Sequence, residues 1–188
     1  MPRIIAGAFG GRRLVVTSDD TRPTSDRVRE ALFAAIDSRV DLDGMTVLDL
    51  FAGTGALGLE ALSRGAAAAV FVDSGRSAAD GLKANIATCD AADRATVVRA
   101  DALAYLGGAG NQVFDMVFCD PPYGLPDEEL ERVLVAVGPL VGDGYLILER
   151  GRRARPTVWP PILRPVLQKV YGDTRVEWAE RVDAEEPA

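Results

Sequence analysis

Val47-Leu48-Asp49-Leu50-Phe51-Ala52-Gly53-Thr54-Gly55-Ala56-Leu57-Gly58 joins a short apolar run to a glycine turn and a helix-forming stretch. The spacing Gly53-x-Gly55-x-x-Gly58 satisfies the dinucleotide fingerprint, whose glycines permit a tight turn and close packing of helix on strand. Alone the match is weak, because such a turn serves packing as readily as ligand binding. Its surroundings strengthen it. Val70-Phe71-Val72-Asp73 reads as a second strand ending in an acid, placed where a carboxylate can accept both hydroxyls of a ribose. Thr96-Val97-Val98-Arg99-Ala100-Asp101 reads as a third, ending in an acid able to accept from an adenine amino group. Asp49, ahead of the glycines, suits a cationic amino-acid moiety better than a pyrophosphate. The ligand implied is adenosine joined to an amino acid, which is S-adenosylmethionine.

Working outward, apolar runs and helical patterns alternate. Strands are expected at 46–50, 68–73, 96–99, 113–119 and 144–149, and helices near 55–64, 75–88, 102–106 and 127–137. Such alternation predicts a mostly parallel, doubly wound α/β sheet with right-handed crossovers. Two final strand-like runs, Val166–Tyr171 and Thr174–Trp178, meet at Gly172-Asp173 as an antiparallel hairpin. Ahead of the sheet, Val28, Ala31, Leu32, Ala35 and Ile36 recur at helical spacing, after a Thr24 or Ser25 able to cap the helix. Short strands around the glycines of the first 25 residues suggest a small β-hairpin extension. The expected division is therefore an extension over 1–25, a Rossmann-like domain over 26–182 and an acidic tail over 183–188.

Asp120-Pro121-Pro122-Tyr123 follows the apolar run 113–119 and so caps the C-terminal end of a buried strand, the edge where open α/β sheets collect ligands. Asp120 can accept a hydrogen bond from an exocyclic amino group. The Pro121 carbonyl can accept the second, since proline keeps its C=O while losing its donor. Tyr123 can stack on the face of a base. A bland reading, a Pro-Pro turn after a strand, competes with this until the glycine loop and the three acids are counted beside it.

The 188 residues, 48% hydrophobic, suffice for one globular domain with a core. No apolar run reaches the ~18 residues of a membrane span, and Met1-Pro2-Arg3-Ile4-Ile5 lacks the apolar stretch of a signal peptide, so a cytoplasmic location is expected. Histidine is absent, and the 2 cysteines, Cys89 and Cys119, are too few for a disulfide framework or a metal site. Chemistry must therefore run on carboxylates, backbone groups and a bound cofactor, with no metal. A net charge of −7 argues against indiscriminate nucleic-acid binding. The charge is uneven, however. Arg3, Arg12 and Arg13 occur in residues 1–16 without an acid, a second cluster is Arg150, Arg152, Arg153 and Arg155, and the chain from Val176 onward turns acidic.

Taken in order, the glycine loop, Asp73, Asp101 and Asp120-Pro121-Pro122-Tyr123 resemble class I S-adenosylmethionine-dependent methyltransferases acting on amino nitrogens. Arg3-Ile4-Ile5-x-Gly7-x-x-x-Gly11-Arg12-x-Leu14 and Arg22-Pro23-Thr24-x-x-Arg27-Val28-Arg29-Glu30-x-Leu32-Phe33 narrow this, and resemble the RsmD family. The resemblance runs from Arg3 to about Trp178. Ala34, where the family often has a polar residue, and the acidic tail depart from it. It implies methyl transfer to guanine N2 of 16S ribosomal RNA, within an assembled or assembling small subunit, by a monomer. It also implies cofactor contacts from Asp49, Phe51, Gly53, Thr54, Gly55, Asp73, Asp101 and Ala102, with Asp120, Pro121 and Tyr123 at the reacting base. The N-terminal Arg3, Arg12, Arg13, Arg22 and Thr24 would bind RNA beside the Tyr123 pocket.

Three rival functions fit less of the chain. A DNA adenine-N6 methyltransferase uses a similar Asp-Pro-Pro-Tyr box but usually needs a separate target-recognition region. A nicotinamide dehydrogenase would leave that box idle. A non-catalytic RNA-binding assembly factor would have no use for an intact set of acids and glycines.

Overall fold

A computed structural model describes residues 2–17 and 26–182. The expected cap at Thr24 or Ser25 and the proposed RNA contacts Arg22 and Thr24 lie outside the described residues, as does the tail 183–188.

Seven strands form one sheet: β1 (Thr46–Leu50), β2 (Ala68–Asp73), β3 (Ala95–Arg99), β4 (Phe114–Cys119), β5 (Val141–Gly151), β6 (Leu163–Tyr171) and β7 (Thr174–Arg181). Their order is β3-β2-β1-β4-β5-β7-β6. The first five run parallel, and β7 is antiparallel to both of its neighbours. Order reverses between β1 and β4, whose ends are paired at Leu50 and Cys119. A crevice for ligands opens at such a switch point, outside the C-terminal strand ends.

Helices cover both faces: α1 (Asp26–Asp37), α2 (Ala56–Ser63) and α3 (Arg76–Cys89) on one, α4 (Ala102–Gly108) and α5 (Asp127–Val137) on the other. Strand alternation divides the core accordingly. Val47, Phe71, Met116 and Phe118 face the first helical layer, while Leu48, Leu50, Val72 and Val117 face the second. Burial on both faces is why the central strands read as nearly unbroken apolar runs. Among the described residues, no helix is long and apolar enough to cross a membrane.

The N-terminal segment is a short, irregular hairpin packed into the core of the domain. It folds back on itself through Ile4 N–H to Arg12 O, Gly11 N–H to Ile4 O and Leu14 N–H to Pro2 O. Only one isolated bridge, Arg3 with Arg13, is regular, because a 3₁₀ turn at Gly7–Phe9 interrupts pairing. Ile4, Phe9 and Leu14 are buried in the same core as α1, α2 and α3. Glu60, fully buried in α2, accepts from the N–H groups of Ile5 (2.6 Å) and Ala6 (3.1 Å) and pairs with Arg64 (2.8 Å). Ser63 accepts from Phe9 N–H at 2.8 Å. A Cβ on Gly7 (φ +80°) would lie 1.9 Å from Ser63 O, so only glycine fits that close approach. Residues 2–17 are thus built into the domain.

The described acids of the stretch from Val176 lie in the sheet. Glu177 is buried in β7, where it accepts from Arg175 and Thr157, and Glu180 pairs with Arg164 of β6. These acids are structural partners within the sheet.

Candidate active site at the β1–β4 crevice

Beyond β1 the chain makes a contorted turn. Phe51 has φ +68°, Gly53 +53° and Gly55 +75°. The left-handed region costs little at glycine, but at an aromatic residue it is a strained conformation of the kind concentrated at functional sites. Ala52 N–H reaches Val72 O of β2 at 2.9 Å, Gly55 N–H closes on Ala52 O at 2.7 Å, and α2 begins at Ala56. Gly58 permits α2 to lie against β2, since a Cβ there would come within 2.3 Å of Phe71 Cε1. This close helix–strand packing is one of the roles of the fingerprint glycines.

Two carboxylates secure this turn. Asp73, half-buried at the end of β2, accepts from Gly53 N–H through Oδ2 and from Gly75 N–H through Oδ1, both at 2.8 Å. Asp49, 1% exposed, accepts from Gly58 N–H at 2.8 Å. Burial pushes the Asp49 carboxyl up to about 7; the Gly58 hydrogen bond opposes that rise and the charge of Asp73 adds to it. The position expected to meet a ligand's ammonium group therefore lies beneath the loop, where it orders the first turn of α2. Asp101 caps α4, its Oδ1 accepting from Leu103 N–H (2.9 Å) and Ala104 N–H (3.2 Å). Ala102, first in α4, turns its side chain into the core at 6% exposure.

Across the switch point, Asp120 follows β4 directly, and its N–H points to Leu50 O at 3.4 Å. Asp120 and Pro121 are half-buried, whereas Tyr123 is 61% exposed. The Tyr123 ring lies against Gly151 at the end of β5, where a Cβ would sit 3.2 Å from Cε1. Cys119, buried beneath Asp120, is pushed well above the usual thiol range by burial first and then by the charges of Asp120 and Asp49. It stays a protonated thiol. Three acids, Asp49, Asp73 and Asp120, therefore gather around one crevice together with the glycine loop.

Of the described N-terminal arginines, Arg12 is held by the domain itself. Arg12 donates to Thr88 O (2.8 Å) in the last turn of α3 and stacks on Phe9. A helix returning from β2 ends at the edge where strands start, so Arg12 sits away from the end carrying Asp120. Arg3 pairs with Asp26 at 3.7 Å, and Arg13 is exposed beside it in the bridge.

Asn85 was legible only in three dimensions. From α3 its side chain accepts Val15 N–H at 2.7 Å and donates to Val15 O (3.0 Å) and Thr54 O (2.9 Å). It ties the N-terminal segment to the glycine loop, and its partners lie 70 and 31 positions away.

Comparison with known proteins agrees with this architecture. The chain is 45% identical over 150 residues, 78% of its length and 73% of the relative's, to ribosomal RNA small subunit methyltransferase D of Escherichia coli. The protein of the same name from Haemophilus influenzae is 36% identical over 173 residues, 90% of this chain and 89% of that one. A solved structure of a hypothetical protein from Thermus thermophilus superposes with a TM-score of 0.80 at 31% identity, covering 96% of this chain and 99% of the other. The family described as Conserved hypothetical protein 95 matches residues 2–180, and the chain belongs to it and, with these relatives, to the RsmD family.

Proposed function

We propose that this protein transfers a methyl group from S-adenosylmethionine to the exocyclic N2 of a guanine in small-subunit ribosomal RNA. The observation that carries the reading is the pairing of an acid-flanked glycine loop after β1 with Asp120-Pro121-Pro122-Tyr123 after the adjacent β4. The names of the relatives, ribosomal RNA small subunit methyltransferase D, support the substrate class.

The donor set fits this cofactor. The charge of Asp73 is felt at Asp49, itself about half ionised near pH 7, and this negative field opposes a pyrophosphate and favours a sulfonium and an ammonium group. Asp73 would hold the ribose hydroxyls on its remaining lone pairs, since each carboxylate oxygen can accept more than once. Phe51, Gly53, Thr54 and Gly55 would line the amino-acid end, and Asp101 and Ala102 the adenine end. When bound, the cofactor supplies an electrophilic methyl group on sulfur.

The chain's own residues then position the acceptor. Asp120 and the Pro121 carbonyl accept the two hydrogens of the guanine amino group, which directs its nitrogen lone pair into the crevice. Tyr123 stacks on the base, which must be unpaired or flipped, because pairing in an RNA duplex engages N2. Transfer would break the sulfur–methyl bond and leave neutral S-adenosylhomocysteine; the methylated nitrogen would be acidic, and its surplus proton would pass to Asp120 or to water. No strong base is required beforehand, so a site without histidine is adequate. Replacing Asp120 by Ala tests the assignment: methyl transfer should fall by ~10²-fold or more while affinity for S-adenosylhomocysteine holds. Near-normal transfer would remove Asp120 from the reaction.

A further inference from the structure

A protein of net charge −7 must hold RNA through a local surface, and Arg12, tied to Thr88 and Phe9, does not offer one beside Tyr123. The loop following β5 does. Gly151 lies under the Tyr123 ring, and the next residues are Arg152, Arg153, Ala154 and Arg155.

This loop is held from beneath. Arg175, buried in β7 and fixed by Glu177 at 3.0 Å, donates to Ala154 O (2.9 Å) and Arg155 O (2.8 Å). Arg150, anchored on Asp127 at 2.5 Å, donates to Arg155 O at 3.0 Å. Arg152 N–H donates to Asp173 O at 2.7 Å, and Ala154 N–H closes the turn on Gly151 O at 2.9 Å. Inward-facing carbonyls satisfied by two guanidinium groups leave the loop's own side chains to face water. Arg152 and Arg153 are exposed and, among the described residues, have no side-chain partner; Arg155 is 86% exposed, with Asp127 at 3.8 Å. Of the nearby acids, Glu177 is engaged by Arg175 and Asp127 by Arg150 and Arg155, and the exposed Asp173 stands beside Arg152; against it the loop sets the charges of Arg152 and Arg153.

We infer that Arg152 and Arg153, assisted by Arg155, contact phosphates of the RNA strand whose target base lies on Tyr123. The inference rests on the methyltransferase reading above and adds to it where the backbone runs. A platform fixed relative to Gly151 fixes the phosphates relative to the stacking ring, which is positioning without sequence readout.

The test is steady-state methylation of small ribosomal subunits purified from a strain lacking this protein, measured over ~50 to 200 mM salt. For Arg152→Ala/Arg153→Ala, KM should rise roughly tenfold, and the salt slope should shrink by about 1.4 to 1.8, as two lost phosphate contacts require. Arg152→Lys/Arg153→Lys should recover most of the slope, because a point charge suffices for counterion release. Arg164→Ala, which removes an exposed arginine of β6 paired to Glu180, should keep the wild-type slope. An unchanged slope in the alanine variant, with wild type active, would overturn the phosphate role alone. A wild type that methylates no RNA would overturn the methyltransferase reading and this inference together.

Discussion

Gly53 and Asp73 stand 20 positions apart, and the N–H of Gly53 donates to Asp73 Oδ2 at 2.8 Å. That bond fastens the turn after β1 to the end of β2. Gly75 N–H, on the other oxygen, fastens the same carboxylate to the start of α3. The residue read from sequence as a ribose acceptor is therefore also the clasp of the loop.

Replacing Asp73 by Ala should weaken S-adenosylmethionine binding by about 1.5 to 3 kcal/mol, the size of a hydrogen bond to a charged acceptor. Asp73→Asn should lose less, since its amide oxygen can still take Gly53 N–H. Calorimetric titration of each variant checks this; equal affinity in Asp73→Ala would leave Asp73 with the loop only.

Asp49 predicts a pH dependence of stability. Its carboxyl has a folded value of about 7 against an ordinary 3.8. The unfolded chain thus releases this proton first, and the group's contribution to stability falls as pH rises from 3.8 to about 7, then levels off. The slope per pH unit from one such group is at most about 1.4 kcal/mol. Asp49→Asn keeps an acceptor for Gly58 N–H and removes the ionisation, so urea midpoints of the variant should drop less between these limits. Parallel wild-type and variant curves would contradict it.

Gly58→Ala should destabilise the fold by about 1 to 3 kcal/mol, as overpacking does, because the new Cβ would press on Phe71 Cε1. Adding Phe71→Leu should recover part of the loss. Thermal unfolding of the single and double variants measures the coupling.

Because Ile4 and Leu14 are fully buried, removing residues 1–16 should unfold the protein and abolish cofactor binding with it. Leu14→Ala alone should cost about 2 to 5 kcal/mol. Circular dichroism and ligand titration of the truncated chain decide the point; a folded, cofactor-binding truncation would mean that the segment is separable after all.

The sheet was legible in the sequence because its parallel strands are buried on both faces and leave apolar runs, as at Val47–Leu50 and Phe114–Cys119. The glycine loop was legible because its glycines answer to local geometry. How the N-terminal hairpin is anchored was not legible, because Glu60, Ser63 and Asn85, which bind it, lie 54 to 70 positions away. No local pattern carries that information. The depth of Asp49 was not legible either, because it is set by the packing of α2 on β2. Nor did the arginine cluster at 150–155 show in sequence that Arg150, together with Arg175 of β7, is spent on the carbonyls of Ala154 and Arg155.

The most direct test of the whole account is transfer of labelled methyl from S-adenosylmethionine to small subunits and to free ribosomal RNA from a strain lacking this protein, followed by nucleoside analysis. Label is expected in N2-methylguanosine and should be lost in Asp120→Ala. Label in N6-methyladenosine, or none in any nucleoside despite bound cofactor, would contradict it.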